Sequence, residues 1–311
     1  MNDDIAFSGV AEQALAPEAR RPRPPLSIVV PARGGLAEAG PVLEALVPAA
    51  DAIGAEVVIV GHAGATEPPV SDSVRLISMP VEDMLALRQR GMREARGDVV
   101  AVGEDHAVPR ADWCEAVIRA HEEHPEAAAV VGCLVNATDA TVPGRANFLA
   151  FAAAWQPPMP ALPIGRPPPA SSLSFKRDAL EGIGSAAPGW LEAELIPSLF
   201  ARGLMVADER VVIKHFQDHG IFWSIRNAFD SARSSYGYMR RRLNPASRRR
   251  LARWAIRGIP RQLRQEARDA SRGAHIGVAE SALIALIAIA AGLGGAAGTL
   301  LGPGRSQDRV A

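Results

Sequence analysis

Apolar residues fall along this chain in short unbroken runs, separated by longer stretches in which polar and apolar positions mix. Leu26-Ser27-Ile28-Val29-Val30, closed by Pro31, and Glu56-Val57-Val58-Ile59-Val60, closed by Gly61, are of the first kind. So are Val74-Arg75-Leu76-Ile77 and Asp98-Val99-Val100-Ala101-Val102. Runs this short, rich in β-branched residues and ended by Pro or Gly, predict strands buried on both faces. Between them, Ala37–Ile53, Met84–Ala95 (stopped by Gly97) and Trp113–His124 predict helices, and Ala127–Leu134 a fifth strand. Alternation at this spacing predicts βαβ units and a mainly parallel sheet flanked by helices. Such sheets bind ligands beyond the carboxyl ends of their strands, which directs attention to the loops after Val30, Val60 and Val102. Gln156–Pro169 is proline-rich and predicts a loop across the site. After it come a strand over Ser171–Phe175, a helix over Leu191–Arg202 ending at Gly203, and a strand over Val211–Ile213 before His215.

Composition adds two features to this α/β pattern. The 311 residues carry no formal net charge, but from Ile221 to Gly273 arginines far outnumber acids, with Arg240-Arg241-Arg242 and Arg248-Arg249-Arg250 as runs. Such a stretch suits an anionic surface, and it holds no recognised nucleic-acid motif, so a membrane is expected as partner rather than nucleic acid. Ser281–Gly302 then contains no charge at all. About 20 apolar residues suffice to cross a bilayer, yet the second half of this segment is diluted by five glycines. Gly294 and Gly298 have the small-xxx-small spacing of close helix contacts. Three arrangements are open: a spanning helix, one lying in the interface, and one docked on the protein. Two cysteines, Cys114 and Cys133, lack metal-ligand spacing and fit a reducing cytoplasmic setting. The polar stretch before Pro25 predicts a disordered leader without a secretory signal. The organisation expected is a leader (1–25), an α/β domain (26–219), a basic helical region (220–275), an apolar membrane-associating helix (276–303) and a tail (304–311).

Candidate chemistry concentrates after the fourth strand, in Gly103-Glu104-Asp105-His106-Ala107-Val108-Pro109, with Trp113 opening a helix. Three consecutive side chains able to bind metal at a strand's carboxyl end can cradle a divalent cation. Upstream stand Arg88-Gln89-Arg90-Gly91 and Ala95-Arg96-Gly97; downstream come Ser171-Ser172-Leu173-Ser174-Phe175, Glu192, Glu194, Gly203 and His215. This order resembles the family 2 glycosyltransferases of the GT-A fold. They run a buried strand into a proline, then an Arg-Asn-x-Gly helix, an Ala-x-Gly turn, and an Asp-x-Asp motif followed by Pro and Trp. An acidic pair, a helix ending in Gly and a late His follow. Glu-Asp-His with this Pro and Trp resembles, more narrowly, a bacterial branch in which the triplet replaces Asp-x-Asp. The resemblance covers roughly Pro25 to Phe216, and the glycine-rich run Ala291–Gly304 is similar to that branch as well.

The resemblance implies a GT-A-like fold and transfer of a sugar, with inversion, from a nucleotide-diphospho-sugar to an acceptor hydroxyl. It places Pro31, Ala32 and Arg33 against the nucleotide, Arg88 on phosphate, and Glu104 and Asp105 near the ribose and diphosphate. His106 takes the position of the usual metal-binding aspartate, where it is a metal ligand, a direct diphosphate contact or a sign that the site handles metal differently, and His215 that of a late histidine able to reach metal or diphosphate. Mn2+ or Mg2+ is the implied cofactor, imidazole suiting the softer Mn2+ better. Glu192 aligns with the general base, Glu194 with the second acid and Ser172 with the acceptor-side loop. On a helix the two acids point about 200° apart, so one of them faces the cleft. The apolar and basic C-terminal region implies a lipid-linked or saccharide acceptor at the cytoplasmic face of the cell membrane. Aromatic residues from Phe222 to Tyr238 can line an acceptor groove or pack a helix on the sheet. Gly61 and His62 stand where the family carries acids, so the alternative is a catalytically degenerate, membrane-tethered binding or scaffold protein.

Overall fold

The computed structural model describes residues 23–32, 36–62, 71–80, 83–138, 140–159, 162, 168–184, 186, 189–216, 219–270 and 276–306. The leader before Arg23, the tail after Ser306 and the expected donor contact Arg33 lie outside the described residues. Eight strands form one sheet: β1 (Leu26–Pro31), β2 (Glu56–His62), β3 (Val74–Met79), β4 (Val99–Val102), β5 (Ala107–Pro109), β6 (Ala129–Asn136), β7 (Leu173–Lys176) and β8 (Met205–His215). Their order is β3-β2-β1-β4-β7-β6-β8-β5. The half built from β1 to β4 is parallel, as the continuous apolar runs require. β7 then inserts antiparallel between β4 and β6, and β5 pairs antiparallel with β8. The sheet is therefore mixed, parallel in β1–β4 and in the β6–β8 pair.

Helices α1 (Leu36–Ile53), α2 (Met84–Glu94) and α3 (Trp113–Glu123) follow their predicted positions. Asp83 caps α2 by accepting from the Leu85 amide at 2.9 Å, and Gly91 lets the helix lie flat on the sheet. A Cβ at Gly91 would collide with Val29 Cγ1 and come within 2.8 Å of Val60 Cγ2. The Ala95-Arg96-Gly97 turn that follows is equally tight. A Cβ at Gly97 would meet the Ser27 nitrogen at 2.5 Å, while the Gly97 amide donates to Ser27 Oγ at 2.6 Å. Arg177 clamps the same turn from outside by donating to the carbonyls of Ala95 and Gly97.

α4 (Val142–Ala152) was not anticipated; it is buried nearly all round, and Thr141 caps it by accepting from the Gly144 amide. The helix expected over Leu191–Arg202 opens with a π turn (Leu191–Leu195) before α5 (Ile196–Ala201). Gly203, at φ +66°, ends it in the left-handed conformation.

Three helices complete the chain: α6 (Ile221–Met239), α7 (Pro245–Ala270) and α8 (Val278–Leu301). α8 is long and apolar enough to cross a membrane, yet most of its apolar stretch is buried against α4, α6 and α7. The glycines explain the closeness. A Cβ on Gly294 would strike the Phe229 carbonyl oxygen, one on Gly298 that of Arg233, and one on Gly292 would meet Ile259 Cγ1 at 2.5 Å. Glu280 at the first turn pairs with Arg145 of α4 at 2.5 Å, and beyond α8 Ser306 Oγ donates to Asp230 of α6 at 2.5 Å. Of the three arrangements open from sequence, α8 here takes the docked one, and Leu286, Ile289, Leu293 and Leu300 remain outward at 41–50% exposure.

Candidate functional site

The site is assembled by β5. After Val102 the chain leaves β4, turns through Glu104-Asp105-His106 with the Ala107 amide returning to the Glu104 carbonyl, and enters three residues of strand. Those residues pair with the end of β8 in the register Ala107↔His215, and the Phe216 amide donates to the His106 carbonyl. His215 is thereby fixed beside the triplet. Its Nε2 lies 2.9 Å from Glu104 Oε2, and His106 Nε2 lies 3.4 Å from the same oxygen. The two imidazoles meet edge to face with ring centres 4.8 Å apart. Asp105 stands behind His106, 2.6 Å from its Nδ1. A carboxylate on one ring nitrogen orients the other, here toward Glu104.

Burial alone would push the Glu104 carboxyl up. The hydrogen bond to His215, together with the charges of His106, His215 and Arg88, outweighs burial and holds it down at about 2. Glu104 is thus a carboxylate at neutral pH despite being only 9% exposed. Arg88 reaches in from α2, one helical turn before Gly91. Its Nη1 donates to Glu192 at 2.5 Å and its Nη2 to Glu104 at 3.4 Å. One guanidinium therefore bridges the triplet and the acid of the π turn. Glu194 points elsewhere and accepts from the Tyr238 hydroxyl at 2.9 Å.

These groups open on a cavity of about 240 Å3. Arg88, Glu104, His106, Glu192 and His215 line it, as do Asn147 and Phe151 of α4 and a polar face of α6. Among the described residues, Glu104, His106 and His215 each present one ligand atom within 4.8 Å of the others. His215 Nδ1 is buried without a hydrogen-bond partner among the described residues. One carboxylate with two imidazoles suits a borderline divalent cation such as Mn2+ better than Mg2+.

Among the described residues, Pro31, Ala32 and Ser172 do not line the cavity. Pro31 and Ala32 are buried at the carboxyl end of β1, the Ala32 amide donating to the Val60 carbonyl at 2.9 Å. The Ser172 hydroxyl donates to the Pro169 carbonyl at 3.1 Å, while its neighbour Ser171 lines the cavity. Gln89 ties α2 to the carbonyls of Ile183 and Ala186. Sequence reasoning missed Asn147 and Phe151, for which the Thr-Val-Pro-Gly start of α4, a capping residue followed by proline in the first turn, is the available signal.

No family model matches the chain, and no curated protein matches it by sequence. Similar solved structures include S. aureus TarS 1–349 in complex with UDP-GlcNAc, at TM-score 0.43 and 10% identity, over 63% of this chain and 59% of that one. TarS 1–349 in a second crystal structure gives 0.42 and 10%, over 67% of this chain and 63% of that one. A mycobacterial protein gives 0.44 and 18% identity, over 64% of this chain and 69% of that one. The chain thus spans about three fifths of the TarS 1–349 structures.

Proposed function

We propose that this chain is a glycosyltransferase that moves a sugar from a nucleotide-diphospho-sugar to an acceptor hydroxyl with inversion. The observation that carries the reading is the bridge Glu192–Arg88–Glu104 within one cavity, beside two histidines. It joins a cationic phosphate-binding group, a carboxylate able to take a proton, and a set of metal ligands. The ordered motifs of the sequence support the same reading.

In the transfer, the acceptor oxygen attacks the anomeric carbon as its proton passes to Glu192. The bond from that carbon to the diphosphate oxygen breaks, and its electron pair leaves with the diphosphate. Arg88 is placed to neutralise that charge by charge-assisted hydrogen bonds. A divalent cation held by Glu104, His106 and His215, when bound, supplies further stabilisation of the leaving group. Asp105 keeps His106 oriented, and Tyr238 holds Glu194 away from the reacting groups.

The setting we propose is the cytoplasmic face of a membrane, with the chain peripheral. Arg248, Arg249 and Arg250 on α7 offer charge to anionic lipid, at ~1 kcal/mol per basic residue near the surface. Leu286, Ile289 and Leu293 on α8 offer an exposed apolar stripe. A degenerate, non-catalytic relative is the weaker reading, because the acid, the arginine and the ligand cluster are all brought together.

Calorimetry with a panel of UDP-, GDP- and dTDP-sugars, with and without Mn2+, tests the proposal. Binding of one donor, strengthened by Mn2+ and weakened in His106→Ala, is expected. No binding by any donor refutes the transferase reading. Glu192→Gln should keep donor binding and lose transfer by a factor of about 100 or more, the usual scale for a general base; undiminished transfer would remove Glu192 from that role.

A further inference from the structure

One wall of the cavity is built from one face of α6. Trp223, Asn227, Ser231, Ser234 and Ser235 all line it, at the i, i+4, i+8, i+11 and i+12 positions of a single helical stripe. The reverse side of α6 carries Phe229, Arg233 and Gly237, which pack on α8 and the segment after it. The polar stripe is therefore not a solvated face, nor is it spent on helix packing.

Its hydroxyls are unusually placed. Ser234 is 1% exposed, and its Oγ has no hydrogen-bond partner among the described residues. Ser171, which lines the same cavity, is likewise 1% exposed, and its Oγ has no partner among the described residues. Buried polar groups are nearly always satisfied, so two orphaned hydroxyls on one cavity call for a partner that enters it. Ser231 and Ser235 donate to Asn227 Oδ1 and to the Ser231 carbonyl, which leaves their oxygens able to accept. At the end of the stripe, Trp223 is stacked on His219 with ring centres 3.6 Å apart, a flat apolar platform beside the hydroxyls.

We propose that this face of α6, with Ser171 of the same cavity, is the acceptor subsite and that it recognises a saccharide. This deepens the transferase reading and rests on it for the word acceptor. Hydroxyl and amide groups on one side and an aromatic platform at the end match a ring that carries hydroxyls around a C–H face. An alkyl or polyprenyl chain would leave Ser234 and Ser171 unsatisfied. A site built to bond hydroxyls discriminates strongly against ligands that lack them. The sugar can come from a free saccharide or from the head of a glycolipid, and both present the same chemistry.

Saturation-transfer NMR on the full chain tests this with the methyl glycosides of glucose, galactose, mannose and N-acetylglucosamine. Dodecyl glucoside and dodecyl phosphate form the lipid arms. At least one methyl glycoside is expected to saturate, and Ser234→Ala and Asn227→Leu should each weaken it about tenfold or more. Ser234→Ala should do so without lowering the melting temperature, because the lost hydroxyl has no partner among the described residues. A merely structural Ser234 would instead lower the melting temperature and leave binding intact, which overturns the proposal. Failure of every methyl glycoside, or equal binding of dodecyl phosphate and dodecyl glucoside, also overturns it. Tighter binding of dodecyl glucoside than of methyl glucoside assigns the sugar to a glycolipid; equal binding assigns it to a free saccharide. Parallel titration with UDP-GlcNAc and the other donors separates the two readings. Glycoside binding without donor binding keeps the saccharide site and removes the transferase, and donor binding without glycoside binding does the reverse.

Discussion

Replacing Arg88 by methionine keeps the length and helix propensity of the side chain and removes its charge. In the native protein that charge sits 2.5 Å from Glu192 and 3.4 Å from Glu104, on a side chain 10% exposed. Two opposite charges about 3 Å apart interact by roughly 5 kcal/mol at an effective dielectric constant of 20, before desolvation is subtracted. Breaking a fully buried pair by removing one partner costs about 3–5 kcal/mol. Glu104 keeps both histidines, however, and the Glu192 side chain is 23% exposed, so water recovers part of the loss. We expect a net destabilisation of about 2 kcal/mol, a drop in melting temperature of roughly 4 °C for a chain of this size. Glu192→Gln, which leaves an amide able to accept from Arg88, should cost less than half as much.

The decisive measurement is the double-mutant cycle in denaturant unfolding. Arg88→Met with Glu192→Gln should be more stable than the sum of the single effects by about 1 kcal/mol or more, the scale of direct pairs in one network. Additivity within about 0.5 kcal/mol would mean the two side chains are not coupled, and the bridge on which the function rests would fall with it.

Other consequences are as accessible. Gly298→Val sets a branched side chain against the Arg233 carbonyl and the Gly237 amide and should destabilise by about 1–3 kcal/mol through overpacking; unchanged unfolding would mean α8 does not dock. Burial, with the nearby Lys176 charge, holds the His121 imidazole down to about 4, where 6.5 is usual, so below pH 6.5 the unfolded chain takes up a proton the folded one refuses. Stability should therefore fall as pH drops from about 6.5 to 4, by up to roughly 3 kcal/mol, and His121→Gln should flatten that part of the profile; identical slopes would refute the assignment. Vesicles containing phosphatidylglycerol should float the protein and purely zwitterionic ones should not, with Arg248→Gln/Arg249→Gln/Arg250→Gln reducing recovery several-fold; equal flotation on both would remove the electrostatic part of the membrane reading.

The parallel half of the sheet was legible because β1, β2 and β4 need apolar residues on both faces and are cut by Pro or Gly. Gly91 and Gly97 were legible as a helix and its stop, though their tight packing on Val29 and Ser27 appears only in three dimensions. Glu104, Asp105 and His106 were legible as neighbours. Their meeting with His215 was not, since β5 has only three residues and no periodicity can show in so few. α4 escaped because it is buried nearly all round and lacks the contrast of faces on which helix recognition depends. The polar stripe of α6 was obscured for the opposite reason: serines and asparagine on a helix normally mark the side toward water, and here that side is a cavity wall. The π turn also has no periodic signature, although the divergence of Glu192 and Glu194 followed from helical spacing.

β5 stands last in the strand order and pairs only with β8. It zips together groups that are far apart in the chain: Glu104 and His215 are separated by 111 positions. Contacts that close such long loops are the slow ones in folding, so the site is expected to form late. An outermost strand of three residues is also where local opening costs least. Fraying of β5 would part His106 from His215 while β1 to β4 and their helices stayed intact, so the cluster would come apart well before the protein melts. Hydrogen exchange at the Phe216 amide, which donates to the His106 carbonyl, would then measure how often the site exists, separately from how stable the fold is.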